Sequence, residues 1–252
     1  MEMTQARGRV RAERGHKRLR ALVGGHMVLD TRRPLLVWEH PHYPTYYVPA
    51  DDLIAGVVPT GNTERTPSRG VGHVCDLVVE GGRVSAAALV YPEPTLEAIR
   101  DHVRVSWDAV DAWFEEDEEV FVHARDPYKR VDVLPSSRHV VVELDGVRLA
   151  ESSRPTMLFE TRLIARTYLP ALDVRQDLLV SSETVTRCPY KGTAAYWHLR
   201  TSEAAVHDVA WTYRFPARES AGIAGLVCFH DEKVDVIVDG ERRERPSSRF
   251  AS

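Results

Sequence analysis

The chain is expected to be mainly β: two tandem copies of a small antiparallel β-sandwich or tent-like domain, with few short helices. Three observations predict this. A set of residues recurs along the 252-residue chain at a nearly constant offset of about 121, the mark of internal duplication. Short runs of β-branched and aromatic residues alternate with turn residues throughout. Helical periodicity is sparse.

The elements follow in order. Residues 17–22 pair with residues 138–143 as the first strand of each copy. Gly24-Gly25 and Asp145-Gly146 come next as two-residue turns, and Asp-Gly between β-branched runs is a strong hairpin signal. Residues 25–31 match 146–152, Arg33-Pro34 matches Arg154-Pro155, and residues 35–39 match 156–160, each ending in an acid, Glu39 or Glu160. Residues 47–52 match 168–173, and short helices are expected to begin within 49–54 and 170–179. Arg69-Gly70 meets Lys191-Gly192, and residues 88–91 meet 210–213. Residues 196–199 and 209–213 read as two aromatic strands joined by a polar loop. A turn of helix is expected over 95–99, where Ile99 and Val103 meet Ile223 and Val227.

Copy one then reads as carrying an insertion, residues 106–116, before 117–120 rejoin 231–234. This stretch is the best helix candidate: Ser106 can cap, and Val110, Trp113 and Phe114 share a face. The acids of 115–119 read as a solvated loop. Residues 234–240 form an alternating strand and a turn. The polar, proline-containing stretch 125–130 is the connection, which sets domains at 1–129 and 130–252. It is too short for independent tumbling, so a monomeric pseudo-dimer is expected, or a weak homodimer, since an isologous interface survives fusion.

Composition narrows the function classes. Hydrophobic residues make up 43% and charged residues 28%, enough apolar material for a core. The net charge of −4 gives the molecule no electrostatic reason to seek nucleic acid. The basic run Arg7, Arg9, Arg11, Arg14, Lys17, Arg18 and Arg20 reads better as a solvated strand face than as a phosphate-binding arm. No apolar run approaches the roughly 20 residues of a membrane span, and no signal-peptide core is present. Cys75, Cys188 and Cys228 are odd in number and widely spaced, which suggests neither a zinc knuckle nor a disulfide framework. A reducing, cytoplasmic setting is expected.

Lys191 is the leading candidate for chemistry. It sits on a turn before Gly192 and can bind an anion as a point charge, or form a Schiff base if burial lowers its pKa. The competing reading is a surface lysine in a turn, but copy one keeps a cation there, Arg69. Cys188 reads either as a nucleophile or, better, as an inert buried thiol. Tyr190, Tyr196, Trp197, Trp211 and Tyr213 form an aromatic cluster that builds core first, yet suits a ligand pocket where partly exposed. His40 and His42 have metal-like spacing but no third ligand, so loop histidines are the better reading, and no metal or cofactor is expected.

Residues 142–146 with 150–152, Tyr168-Leu169-Pro170, the run Cys188-Pro189-Tyr190-Lys191-Gly192 followed by small residues and Tyr196-Trp197, residues 210–213 and the closing 223–229 resemble a bacterial family, the domain of unknown function 427. The resemblance covers nearly the whole chain as a tandem pair, with copy one the degenerate partner through residues 43–47 and 113–120. It implies a small antiparallel β domain without an agreed activity, filed at times under a nucleotidyltransferase-like heading. Metal-dependent nucleotidyl transfer needs closely placed carboxylates, and Asp231 with Asp235, or Asp51 with Asp52, are only approximations to such a set.

The expected function is binding of a small molecule in the second copy, with an enzyme using Lys191 on a carbonyl or anionic metabolite as its stronger form. Lys191 and Tyr190 are the expected catalytic residues. Arg154, Glu160, Tyr168, Cys188, Tyr196, Trp197, Trp211 and Tyr213 are the expected ligand-binding set. Magnesium-dependent nucleotidyl transfer and a protein interaction module are the alternatives.

Overall fold

The computed structural model describes residues 10–200 and 205–247. Arg7 and Arg9 of the basic segment lie outside the described residues. The chain divides into two compact units, Met1–Asp126 and Pro127–Ser252. It is mostly β, with 3-10 turns and no α-helix among the described residues, and no helix long and apolar enough to cross a membrane.

Each unit repeats one architecture of two antiparallel sheets. In the second unit a seven-stranded sheet runs in the order Val131–Pro135, Thr156–Glu160, Arg166–Leu169, Val227–Phe229, Ala205–Pro216, Gly192–Arg200, Leu179–Cys188. A four-stranded sheet runs Val147–Ser152, Val140–Leu144, Asp235–Val238, Glu241–Arg242. The first unit has the same order, from Arg11–Arg14 to Gly56–Thr66 in the large sheet and from His26–Thr31 to Glu118–Val120 in the small one. The basic run is therefore a strand: Arg11–Arg14 pairs with Leu35–Trp38, and the Arg11 guanidinium lies 3.8 Å over the Trp38 ring.

Strand alternation divides the large sheet between two cores. In the second unit Leu169, Ala210 and Phe229 face one core together with Val140, Val142, Leu149 and Ala150 of the small sheet. Their neighbours in sequence, Tyr168, Trp211 and Cys228, face the opposite side with Leu158, Tyr213 and Ile223. This second, aromatic core positions the site. Burying one such side chain stabilises the fold by about 1.5–3 kcal/mol.

The hairpin turns form where expected. Asp145 and Gly146 have φ of 50° and 78°, the left-handed pair that a two-residue turn requires when it must match strand twist.

Residues 106–114 are not a helix. A 3-10 turn, Trp107–Ala109, leads into the strand Ala112–Glu115, which pairs with Leu19–Val23. Trp113 and Glu115 point inward and Phe114 lies between them, a period of two that the helical spacing had mimicked. Glu115 is buried, accepting hydrogen bonds from Tyr46 Oη at 2.7 Å and Lys17 Nζ at 2.5 Å, so the acid run is not one solvated loop. Nor is there a long insertion. Glu115 opposes Leu19 as Val238 opposes Val140, and Glu116 and Asp239 then turn with φ of 52° and 53°. Strand Ala112–Glu115 is thus the counterpart of Asp235–Val238.

Candidate functional site

The site grows from one row of residues across four strands of the second unit. Tyr168 opposes Cys228, Cys228 opposes Trp211, and Trp211 opposes Tyr196. Directly opposed side chains share a face. Trp211 Nε1 donates to Tyr168 Oη at 3.1 Å, with the two rings edge to face. Tyr196 Oη is 2.9 Å from Thr186 Oγ1. Burial pushes the Tyr168 and Tyr213 phenols well above the usual tyrosine range, so both stay neutral.

Lys191 lies in the turn just before the strand Gly192–Arg200 that carries Tyr196. Its carbonyl accepts the Ala217 amide at 3.1 Å, and Gly192 follows with φ of 94°. A Cβ at Gly192 would lie 3.2 Å from the Phe215 carbonyl, so the turn needs glycine for space as well as for conformation. The turn aims the Lys191 ammonium at the Glu160 carboxylate, which is buried at 6% exposure and also takes Lys129 Nζ at 3.2 Å. Burial by itself would lower the Lys191 pKa, but Cys188 and Glu160 reverse this and leave it above the ordinary lysine value. The side chain is therefore a fixed, protonated cation.

Arg166 stands on the strand that carries Tyr168. Its guanidinium lies 5.3 Å over the Trp211 ring and donates to both oxygens of Glu232, at 2.9 and 2.8 Å. Asp231 Oδ1 is 3.4 Å away, and burial raises the Asp231 pKa despite that neighbour. His230 packs its ring 4.5 Å from that of Trp211. Burial, reinforced by Arg166 and Lys233, lowers the His230 pKa to about 4, so the imidazole is neutral at physiological pH.

These groups enclose a cavity of about 380 Å³. Its wall is Leu158, Tyr168, Tyr196, Trp211, Tyr213 and His230, its charged groups are Glu160, Lys191, Arg162 and Arg166, and Leu163, Ile164 and Ser247 complete the lining. Ligand pockets commonly span ~300–1,000 Å³ and are mostly apolar with a few convergent polar groups.

Of the expected residues, Lys191, Glu160, Tyr168, Tyr196, Trp211 and Tyr213 come together around this cavity. Four others are not among its lining residues. Arg154 is exposed and pairs with Asp173 at 3.1 Å. Trp197 follows Tyr196 in the strand, so it faces the opposite core. Tyr190 is buried, with its carbonyl accepting Ser220 Oγ at 3.0 Å and its ring 5.1 Å from the Lys129 ammonium. Cys188 is a half-buried free thiol that acts electrostatically on Lys191.

Sequence reasoning missed Arg166, His230, Arg162 and Lys129. Alternation marks two of them: Arg166 is two residues before Tyr168, and His230 is two residues after Cys228, so each shares its neighbour's face. Lys129 falls at the end of the first repeat copy by sequence, whereas the second compact unit begins at Pro127.

In the first unit the same row reads Tyr47, Arg104, Leu89, Val74. Arg69 reaches Glu39 at 3.2 Å, as Lys191 reaches Glu160. Arg104 also reaches Glu39, at 3.1 Å, and Tyr47 Oη donates to it at 2.6 Å. His40 and His42 sit 4.8 Å apart by ring centroids, and among the described residues no group of three or more His, Cys, Asp or Glu converges as a metal site.

A family model described as a domain of unknown function, DUF427, matches the chain twice, over residues 11–116 and 132–240. No curated protein matches the chain.

Proposed function

The chain belongs to the DUF427 family in both of its halves, and from that premise we propose that its second domain binds a small organic anion with a flat, unsaturated body. The observation that carries this reading is the charge around an aromatic cavity. Lys191, Arg162 and Arg166 line it with the carboxylate Glu160, and Arg166 is already matched by Glu232. Glu160 is itself shared by two ammonium groups, Lys191 and Lys129, so that end of the cavity keeps a net positive charge. The rings of Trp211, Tyr196 and Tyr213 supply faces for stacking.

A lysine held protonated by a buried carboxylate is an anchor rather than an imine-forming nucleophile, which needs a lowered pKa. That weighs for binding over Schiff-base chemistry. The nucleotidyl-transfer alternative has little support in the side chains. Asp231 and Glu232, the carboxylates beside the lining residue Arg166, are both engaged by it.

Thermal melting of the full chain tests this with aromatic carboxylates, their neutral amides, and nucleoside triphosphates with and without Mg²⁺. A ligand that binds only the native state raises the melting temperature. Carboxylates are expected to stabilise and the amides are not, with the effect lost in Lys191→Met and kept in Arg69→Met. Stabilisation by triphosphates only when Mg²⁺ is present, or equal losses in the two variants, would overturn the reading.

A further inference from the structure

His230 lies just beyond the strand Val227–Phe229, with its side chain 13% exposed, and it lines the cavity. Its two ring nitrogens meet different surroundings. Nδ1 is fully enclosed, 3.7 Å from Glu232 Oε2, and makes no hydrogen bond. Nε2 is not among the atoms buried without a partner, and the imidazole it belongs to lines the cavity.

A neutral imidazole carries one proton, and the neighbouring groups decide where it sits. The Glu232 carboxylate, 1% exposed and fixed by two hydrogen bonds from Arg166, is the anion facing Nδ1. It favours the proton on Nδ1. Nε2 is then a lone pair presented to the cavity, which accepts a hydrogen bond and cannot donate one. The side chain is neutral at physiological pH because burial, Arg166 and Lys233 all oppose a second proton.

Resting on the anion-binding reading above, we propose that His230 Nε2 accepts a hydrogen bond from the ligand, so that the class of molecule held is an aromatic carboxylate that also bears a hydroxyl or N–H group. The three parts of such a ligand match three parts of the site. The cations centred on Lys191 take the carboxylate, the rings of Trp211 and Tyr196 take the flat body, and His230 takes the donor. A site built to bond a donor rejects the isostere that lacks it, because its own acceptor is then buried unpaired.

Calorimetric titration of the full chain with 3- and 4-hydroxybenzoate and with 3- and 4-methylbenzoate tests this. At least one hydroxy compound is expected to bind about tenfold more tightly than its methyl isostere, and His230→Phe is expected to erase that difference while methylbenzoate affinity stays. Equal affinities in both pairs, or a hydroxyl preference that survives in His230→Phe, would overturn the role of His230 and leave anion binding standing. No binding of any of the four would overturn the anion reading, and this proposal with it. If His230→Phe does not fold, ¹⁵N NMR of the imidazole in the natural chain decides: a neutral ring protonated on Nδ1 at neutral pH is expected, and a proton on Nε2 contradicts the proposal.

Discussion

Arg104 in the first domain and Cys228 in the second hold the same place in the large sheet, each directly opposite a buried tyrosine, Tyr47 or Tyr168. In the first domain the guanidinium spreads toward Glu39, and the opposed strands offer Leu89 and Val74 in place of Trp211 and Tyr196. Cys228 puts a small, fully buried thiol where the first domain has an arginine, and Tyr168, Trp211 and Tyr196 of the same row line a cavity. Duplicated backbones thus carry an arginine at this position in one copy and a cysteine beside an aromatic-lined cavity in the other.

Cys228→Arg should therefore convert the second site toward the first. Glu160, which already takes Lys191 and Lys129, would be shared with the new guanidinium as Glu39 is shared by Arg69 and Arg104, so the chain should still fold, with carboxylate affinity down by about tenfold or more, equivalent to at least ~1.4 kcal/mol. Cys228→Ser should bind as the natural chain does. Calorimetric titration compares them, and unchanged affinity in Cys228→Arg would show that the ligand lies elsewhere.

Glu160 and Lys191 should not be equivalent in stability. Glu160→Ala leaves two largely buried ammonium groups without their carboxylate and should destabilise by about 3 kcal/mol. Lys191→Met leaves Glu160 still paired with Lys129 at 3.2 Å and should cost about 1 kcal/mol. Urea denaturation reads both. Equal costs would mean that Lys129 does not hold the carboxylate.

Gly192→Ala should lower stability and binding together. The residue has φ of 94°, and a Cβ there would meet the Phe215 carbonyl at a tight 3.2 Å. Strain of about 1–3 kcal/mol is expected, along with movement of the turn that aims Lys191. A variant with lower stability but natural affinity would show that the turn does not position the cation.

The pH dependence of stability follows from His230. Burial lowers its pKa from the ordinary histidine value of 6.5 to about 4 in the folded chain, so the unfolded chain takes up the proton first. The group's contribution is fully present above pH 6.5 and is lost as pH falls toward 4. The full effect is about 3 kcal/mol. His230→Phe should flatten the acid side of a stability curve measured from about pH 7.5 to about pH 4.5. An equally steep fall in the variant would assign the acid sensitivity to other groups.

Much of the fold was legible because duplication repeats its own evidence. The offset that joins Arg69-Gly70 to Lys191-Gly192 also joins the turns with φ of 96° and 94°. Residues 106–116 misled because Val110, Trp113 and Phe114 fit a helical face as well as they fit a turn entering a strand. Only the pairing of Ala112–Glu115 with Leu19–Val23, some 90 residues away, separates the two. The site was legible where one strand's alternation sufficed, as for Trp211 and Tyr213. Trp197 was misplaced by ignoring that alternation beside Tyr196. His230 was missed because its meaning depends on Val227–Phe229 lying between the strands of Tyr168 and Trp211. Arg154 looked like a site cation until folding gave it Asp173.

Location of a bound anion tests the central claim most directly. Crystals of the full chain soaked with 4-bromobenzoate would mark the ring by the anomalous signal of bromine. The account predicts one bromine peak in the second domain, beside Trp211 and Tyr196, with the carboxylate toward Lys191 and no peak at Arg69. A peak in the first domain, or a ring bound only on the outer surface, would contradict it.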